Sequence, residues 1–438
     1  MDGCGFEKIR VLLDGHNLGL KQPTGIGTYV LNLSECLQSL GFDLSVLYSM
    51  NTDRYGSTKD ASFFQKIVNE GESGSTGIFR WGYHAAPYVF NFLFRKGIGI
   101  NSINPADKFI LDGFTRKIPS GASIGNLPHI FRVSQALAAL TAKGTPITPS
   151  ENFHFDILHL TMPLPLAKGR FKKIVTLHDL IPLKLPQSTN VNLKHYLNII
   201  NASTDDADLI FAVSEQTKRD AIDLLGIKEN KIHVTYQSSN LPDELRNLSR
   251  EEILPLLESY GLETDKYFIY YGAIEPKKNV LRVLNAFVKS NTDCKLVIVG
   301  KNGWLFDDVE MFFENQKYRN RIIRLPYADF VDLMYLLKGA RALLFPSLYE
   351  GFGLPALEAM QIGTPVITSN SGSLPEVCGN VAHYVDPYSI NDIKNAIELY
   401  SDSGDQLDSM KQLGFVQSLK FSKAEYQKRV AAGYSLLL

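Results

Sequence analysis

Cysteine is scarce in this chain, and the four present, Cys4, Cys36, Cys294 and Cys378, are far apart. They form no CxxC pair and no metal-ligand spacing, which argues against a disulfide framework and predicts structural thiols in a reducing, cytoplasmic compartment. An excess of one charge is also lacking. The 45 basic and 46 acidic residues leave a formal net charge of -1, which argues against a protein organised around nucleic acid. No run reaches the roughly 18 apolar residues of a membrane-spanning helix. The opening MDGCGFEKIRVLLDG predicts no secretory leader, because its apolar run is short and stops at Asp14. A Walker sequence, a Gly-x-Ser-x-Gly elbow and a metal triad are absent, so an ATPase or a serine hydrolase is unattractive and no metal centre is expected.

What is present is an alternation of apolar strands and helical stripes. A chain of 438 residues that is 45% hydrophobic supports at least two substantial cores. Ile9 to Leu13 reads as a strand, Thr24-Gly25-Ile26-Gly27 as a turn, Val30, Leu33, Leu37 and Leu40 as a helical stripe ending at Gly41, and Phe42 to Tyr48 as the next strand. Further strands are expected at Asp156 to His159, Lys173 to Leu177, Asp208 to Ser214 and Lys231 to Tyr236. The polar segment from Asn240 to Thr264, with Pro242 and Pro255, reads as a linker. A second series follows at Tyr267 to Tyr271, Lys295 to Val299, Ile322 to Leu325, Ala342 to Phe345 and Pro365 to Thr368, with a helix over Val280 to Val288. The expected fold is α/β, with two Rossmann-like, doubly wound domains over 1–245 and 246–415 facing across a cleft, and a helical segment, 416–438, packing back on the first. The cleft is the default ligand site.

The segment Ser347-Leu-Tyr-Glu350-Gly351-Phe352-Gly353-Leu354-Pro355-Ala-Leu-Glu358 carries the most chemistry. It sets one carboxylate in a glycine-bearing loop after a buried strand and another on the helix that Pro355 is suited to start and Gly363 to end. Free N–H groups at such a helix start can face an anion. Gly272-Ala-Ile-Glu-Pro-Lys277-Lys278-Asn279 follows the first strand of the second domain, where its lysines can meet phosphate oxygens and Asn279 can cap the next helix. Gly25 and Gly27 suit either a close approach to a ligand or a plain tight turn. His178, before Asp179 at a strand end, suits either a sugar hydroxyl or a core role, and His159 is the weaker counterpart. The aromatic segment from Phe79 to Arg95 reads equally as core, as a sugar-stacking surface or as a membrane-interface face.

Taken together, Gly25-Ile-Gly27, His178-Asp179, Glu275-Pro-Lys-Lys278-Asn279, Val299-Gly300 and above all Glu350-Gly-Phe-Gly-Leu-Pro-Ala-Leu-Glu358 with Gly363-Thr-Pro-Val resemble the retaining GT-B glycosyltransferases of family 4, over nearly the whole chain. The resemblance implies a nucleotide-sugar donor on the second domain and an acceptor on the first, with no cofactor and no metal. It assigns Glu350 to the transferred sugar, Glu358 to the ribose, and Lys277 and Lys278 to the diphosphate. Backbone from Gly351 through Leu354 serves the donor, Gly25 and Gly27 approach the ligand, and His178 orients sugar or acceptor. Many relatives carry an arginine where this chain has Ala273, so Lys277 is expected to substitute for it. GDP-mannose is favoured over a UDP-hexose or dTDP-rhamnose, with a saccharide or lipid-linked saccharide as acceptor, no nucleic acid partner and peripheral association at the inner membrane face. An inverting GT-B transferase, a sugar-nucleotide epimerase and a catalytically silent binding domain are the alternatives.

Overall fold

Strands apolar on both faces need cover on both sides, and parallel sheets with crossover helices supply it. The structure, a computed structural model, describes residues 9–20, 25–52, 59–69, 88–94, 96–103, 117–239, 241–303, 307–318, 320–402 and 406–438. Along the chain run β1 (Arg10–Asp14), helix α1 (Gly25–Ser39), β2 (Asp43–Tyr48), β3 (Ser123–Asn126), β4 (Ile157–Leu160), β5 (Lys172–Leu177), β6 (Leu209–Ala212), helix α2 (Glu215–Leu225) and β7 (Ile232–Val234). These seven strands are parallel in the order β3-β2-β1-β4-β5-β6-β7, with Asn101–Ile103 added antiparallel at the β3 edge.

After helix α3 (Arg250–Ser259) come β8 (Tyr267–Tyr271), α4 (Val280–Lys289), β9 (Lys295–Val299), β10 (Ile322–Leu325), β11 (Ala342–Phe345), α5 (Leu354–Ile362), β12 (Val366–Ser369), α6 (Leu374–Cys378), β13 (His383–Val385), α7 (Gln406–Ser418) and α8 (Lys423–Ser435). The second sheet is parallel in the order β10-β9-β8-β11-β12-β13. Each sheet therefore contains the 3-2-1-4-5-6 Rossmann winding, which reverses between β1 and β4 in the first sheet and between β8 and β11 in the second. All of β8 and β11 is buried.

Two local readings differ from the structure, and a third that stood open is decided. The Thr24–Gly27 turn is, from Gly25 on, the first turn of α1. The expected linker is largely helical. Ser249 and Glu252 form a reciprocal capping box at the start of α3, and Ile253 and Leu257 enter the second core, although Pro255 removes one backbone donor from the helix. His159 is core. Its ring meets the Tyr434 hydroxyl at 2.7 Å and Thr176 at 2.9 Å, and burial drives its pKa down to about 3.

The C-terminal segment crosses back as expected. Tyr426, Val430 and Tyr434 of α8 join the first core, and Lys423 pairs with Glu35 at 2.6 Å. Of the aromatic segment, Phe79, Trp81, Tyr83 and Arg95 lie outside the described residues, whereas Phe90, Leu93 and Phe94 are exposed. No helix among the described residues is long and apolar enough to cross a membrane.

Candidate active site

Winding reversals splay neighbouring loops apart and leave a crevice at the strands' carboxyl ends. In the second domain the crevice lies between the loop after β8 and the loop after β11. The first loop turns at Gly272, at φ 138°, and ends in a short 3-10 turn over Pro276–Lys278. Leu348 N donates to the Lys277 carbonyl at 2.7 Å, stitching the loops together. Asn279 occupies the position before α4, but its side chain does not cap that helix. It is left-handed, at φ 64°, and its amide donates to the Pro346 and Pro387 carbonyls at 2.9 and 2.7 Å, so its work is to tie the crevice together.

Lys278 Nζ lies 2.7 Å from Glu350 Oε1, and their side chains are only 15% and 8% exposed, which makes this a largely desolvated pair across the crevice. Burial opposes the Lys277 ammonium, but Asp179, Glu350 and Glu275 outweigh burial and hold its pKa above the ordinary lysine value. Asp179 belongs to the first domain, so the lysine pair lies where the two domains meet.

The Glu350 loop is shaped by glycines. Gly353 precedes α5 at φ 102°, with no side chain capping the helix start. Gly372, at φ 59°, lets a neighbouring loop approach so closely that a Cβ there would stand 2.6 Å from the Glu350 carbonyl oxygen. Phe352 turns its ring away from the crevice, packing 5.5 Å from Phe421 and 6.4 Å from Tyr236, so only its backbone is available on the crevice side.

Glu358, one helix turn inside α5, accepts from the Tyr271 hydroxyl, for which the Pro355 carbonyl also competes at 3.1 Å. One hydroxyl proton cannot serve both acceptors. Burial pushes the Glu358 carboxyl up to about 7, and a neutral Glu358 resolves the conflict by donating to Tyr271 while Tyr271 donates to Pro355. The folded pKa lies above the unfolded one. Between about pH 4.5 and 7 the folded chain therefore retains a proton that the unfolded chain releases, and stability falls as pH rises through that window. Glu358→Gln removes this loss. Its melting temperature is expected to gain on wild type from about pH 5 to 8, and a pH-independent difference in parallel melts would contradict the buried neutral carboxyl.

On the first domain, His178 Nε2 donates to the Thr161 carbonyl at 2.8 Å, Nδ1 faces the Gln237 amide at 3.3 Å, and Tyr29 of α1 packs edge-on at 4.9 Å. Burial lowers the His178 pKa, against the opposing pull of Thr161 and Asp179, and both contacts suit a neutral ring protonated at Nε2. Gly27 is buried two residues before Tyr29, whereas Gly25 is exposed with open space around it. The structure thus brings Lys277, Lys278 and Glu350 together.

Sequence reading missed the joint between the domains. Glu376 of α6 accepts from the backbone N–H of Glu215 and Gln216 at 2.7 and 3.3 Å, so a second-domain carboxylate caps α2 of the first. Thr217 Oγ1 donates to the His178 carbonyl at 3.1 Å and stands 3.4 Å from the Gly351 carbonyl, and Tyr349 donates to Asp220. An acid 160 residues from the amides it caps leaves no local signature. Glu376→Ala is expected to cost about 0.5–2 kcal/mol and to loosen domain closure. Calorimetry together with solution scattering checks this, and an unchanged scattering profile and melt would contradict the joint.

Two family models match this chain, Glycosyltransferase Family 4 over residues 112–238 and Glycosyl transferases group 1 over residues 256–415. The chain is 32% identical to O-antigen chain mannosyltransferase B of Escherichia coli, over 61% of this chain and 71% of that protein. It is 28% identical to the serotype-specific mannosyltransferase WbdA of Escherichia coli over 82% of this chain, spanning 46% of that longer protein. In fold it matches Anabaena HepE, solved in complex with UDP-glucose, with a TM-score of 0.66, 14% identity and coverage of 98% and 99% of the two chains. Two facing Rossmann sheets, a crevice of lysines and glutamates at the second winding reversal, and these matches together make the chain a member of the group 1, family 4 glycosyltransferases, on the GT-B fold.

Proposed function

We propose that this glycosyltransferase moves mannose from GDP-mannose, with retention of configuration and without a metal ion, to a hydroxyl of a saccharide or lipid-linked saccharide. The carrying observation is the Lys277, Lys278 and Glu350 cluster at the second winding reversal, where α/β sheets hold ligands. The two Escherichia coli relatives described above are mannosyltransferases, which favours mannose as the sugar.

As the glycosidic C–O bond breaks, negative charge grows on the diphosphate, and Lys277, Lys278 and the start of α5 meet it with fixed positive charge. Donor binding draws Lys278 from Glu350 toward phosphate and frees the carboxylate for the sugar. The acceptor hydroxyl attacks from the face the diphosphate leaves, and its proton passes to a phosphate oxygen of the leaving group. Glu358 holds the ribose, and neutral His178 positions sugar or acceptor rather than acting as a base. The exposed Phe90, Leu93 and Phe94 favour a lipid-linked acceptor presented at a membrane surface.

A panel of GDP-mannose, UDP-hexoses and dTDP-rhamnose, assayed for binding, slow hydrolysis and product anomer, tests this reading. Selective use of GDP-mannose with an α-linked product is expected. Preference for another nucleotide overturns the donor, a β-linked product overturns retention, and donor conversion without acceptor indicates an epimerase.

A further inference from the structure

Glu275 lies in the loop after β8, beside the crevice lysines, and has no assigned contact with the donor. It precedes the 3-10 turn that carries Lys277 and Lys278, and its carbonyl accepts from Lys278 N at 2.9 Å. The backbone beside it is fixed to the loop after β9, with Ile274 N donating to the Lys301 carbonyl at 2.9 Å and Gly303 N donating to the Ile274 carbonyl at 3.0 Å. Gly303 also makes room for the side chain, since a Cβ there would stand 2.7 Å from Glu275 Cγ. The carboxyl is thus held in a built niche. It is only 14% exposed, and its buried Oε2 has no hydrogen-bond partner, with Lys277 Nζ at 4.0 Å, beyond hydrogen-bond reach.

A buried carboxylate oxygen without a donor is costly, and a polar niche maintained in that condition is suited to a ligand that brings the donor. Burial raises the Glu275 pKa, Lys277 and Lys278 pull it down, and Glu350 and Asp179 push it up, so the carboxyl shares the charge environment of both domains' crevice residues. A carboxylate repels phosphate oxygens, and the lysines beside it already offer those oxygens their donors. The groups that flank a diphosphate are the ribose, which is assigned to Glu358, and the transferred sugar, which is assigned to Glu350. Glu275 stands beside the diphosphate lysines and within the electrostatic reach of Glu350, so the donors nearest to it are the sugar hydroxyls.

We propose that Glu275 accepts a hydrogen bond from a hydroxyl of the transferred sugar and so helps to select which hexose the enzyme moves. The inference rests on the donor reading above, and separating the sugar from the nucleotide tests it. Calorimetric titration of wild type, Glu275→Gln and Glu275→Ala is run with GDP-mannose and with GDP alone, alongside thermal melts. The expected result is a loss of about tenfold or more in GDP-mannose affinity for Glu275→Ala, a smaller loss for the isosteric Gln variant, and GDP affinity within about twofold of wild type for both. Parallel loss of both ligands overturns the proposal and makes Glu275 a positioning residue for the lysines. Unchanged affinity with a lowered melt makes it a framework residue, and a raised acceptor KM with intact donor affinity assigns its partner to the acceptor, each overturning the proposal. Failure of the wild type to bind either ligand instead overturns the donor reading, and this inference with it.

Discussion

Glu350→Gln is expected to cut transfer by about 100- to 1000-fold, the scale of losing one fixed electrostatic contact at a reacting centre, with the melting temperature near wild type. The amide keeps the shape of the carboxylate but cannot neutralise Lys278, which lies 2.7 Å from Glu350 Oε1. Two effects of that change are separable. Lys278 becomes free to meet diphosphate before the donor arrives, so nucleotide affinity holds or rises, while the group assigned to the sugar has lost its charge, so kcat falls. Glu350→Ala is the blunter test. It leaves a mostly buried ammonium without a partner and adds a stability cost of about 1–3 kcal/mol. Turnover, donor affinity and thermal unfolding measured on both variants check the assignment. Activity near wild type in Glu350→Gln would remove Glu350 from the reaction.

Gly351→Ala is expected to abolish turnover at a single added methyl group. Its Cβ would stand 2.0 Å from the His178 carbonyl oxygen and 3.0 Å from the Asp179 Cβ, both in the facing domain. The first obstacle is backbone, held by the Thr217 hydroxyl at 3.1 Å, so no side chain can swing aside. The cheapest relief is for the domains to part, which also pulls Glu376 from the start of α2 and Asp179 from Lys277. Each core is untouched, so the variant should still unfold cooperatively. A larger radius of gyration and a loss of turnover of 100-fold or more are expected, with nucleotide binding to the second domain largely retained. Wild-type turnover would show that closure tolerates a methyl group at that contact.

Much of the framework was legible in short windows of sequence. Tyr267–Tyr271, Lys295–Val299 and Ala342–Phe345 are the observed strands to the residue, because a strand buried on both faces is a short, nearly continuous apolar run, and the partly exposed edge strand Ile322–Leu325 matches as well. The start of α5 was legible from Pro355 and its end from Gly363, which is left-handed at φ 80°. Where windows misled, a competing local signal was at work. Pro255 suggested a linker where the Ser249–Glu252 capping box starts a helix, and Gly25 suggested a turn where α1 begins.

The sequence alone determined the α/β alternation, the two loops that carry Lys277, Lys278 and Glu350, and the helix that carries Glu358, since apolar period and glycine or proline punctuation act over a few residues. Tertiary structure alone decided how those groups are used. It set Lys278 against Glu350, 72 positions away, sank His159 against Tyr434, 275 positions away, packed the Phe352 ring against Phe421, and placed Glu376 at the start of a helix in the other domain. The physical reason is that hydrogen bonds and ion pairs at about 3 Å depend on how the sheets wind and the domains close, and neither leaves a trace in the residues adjacent to the group concerned.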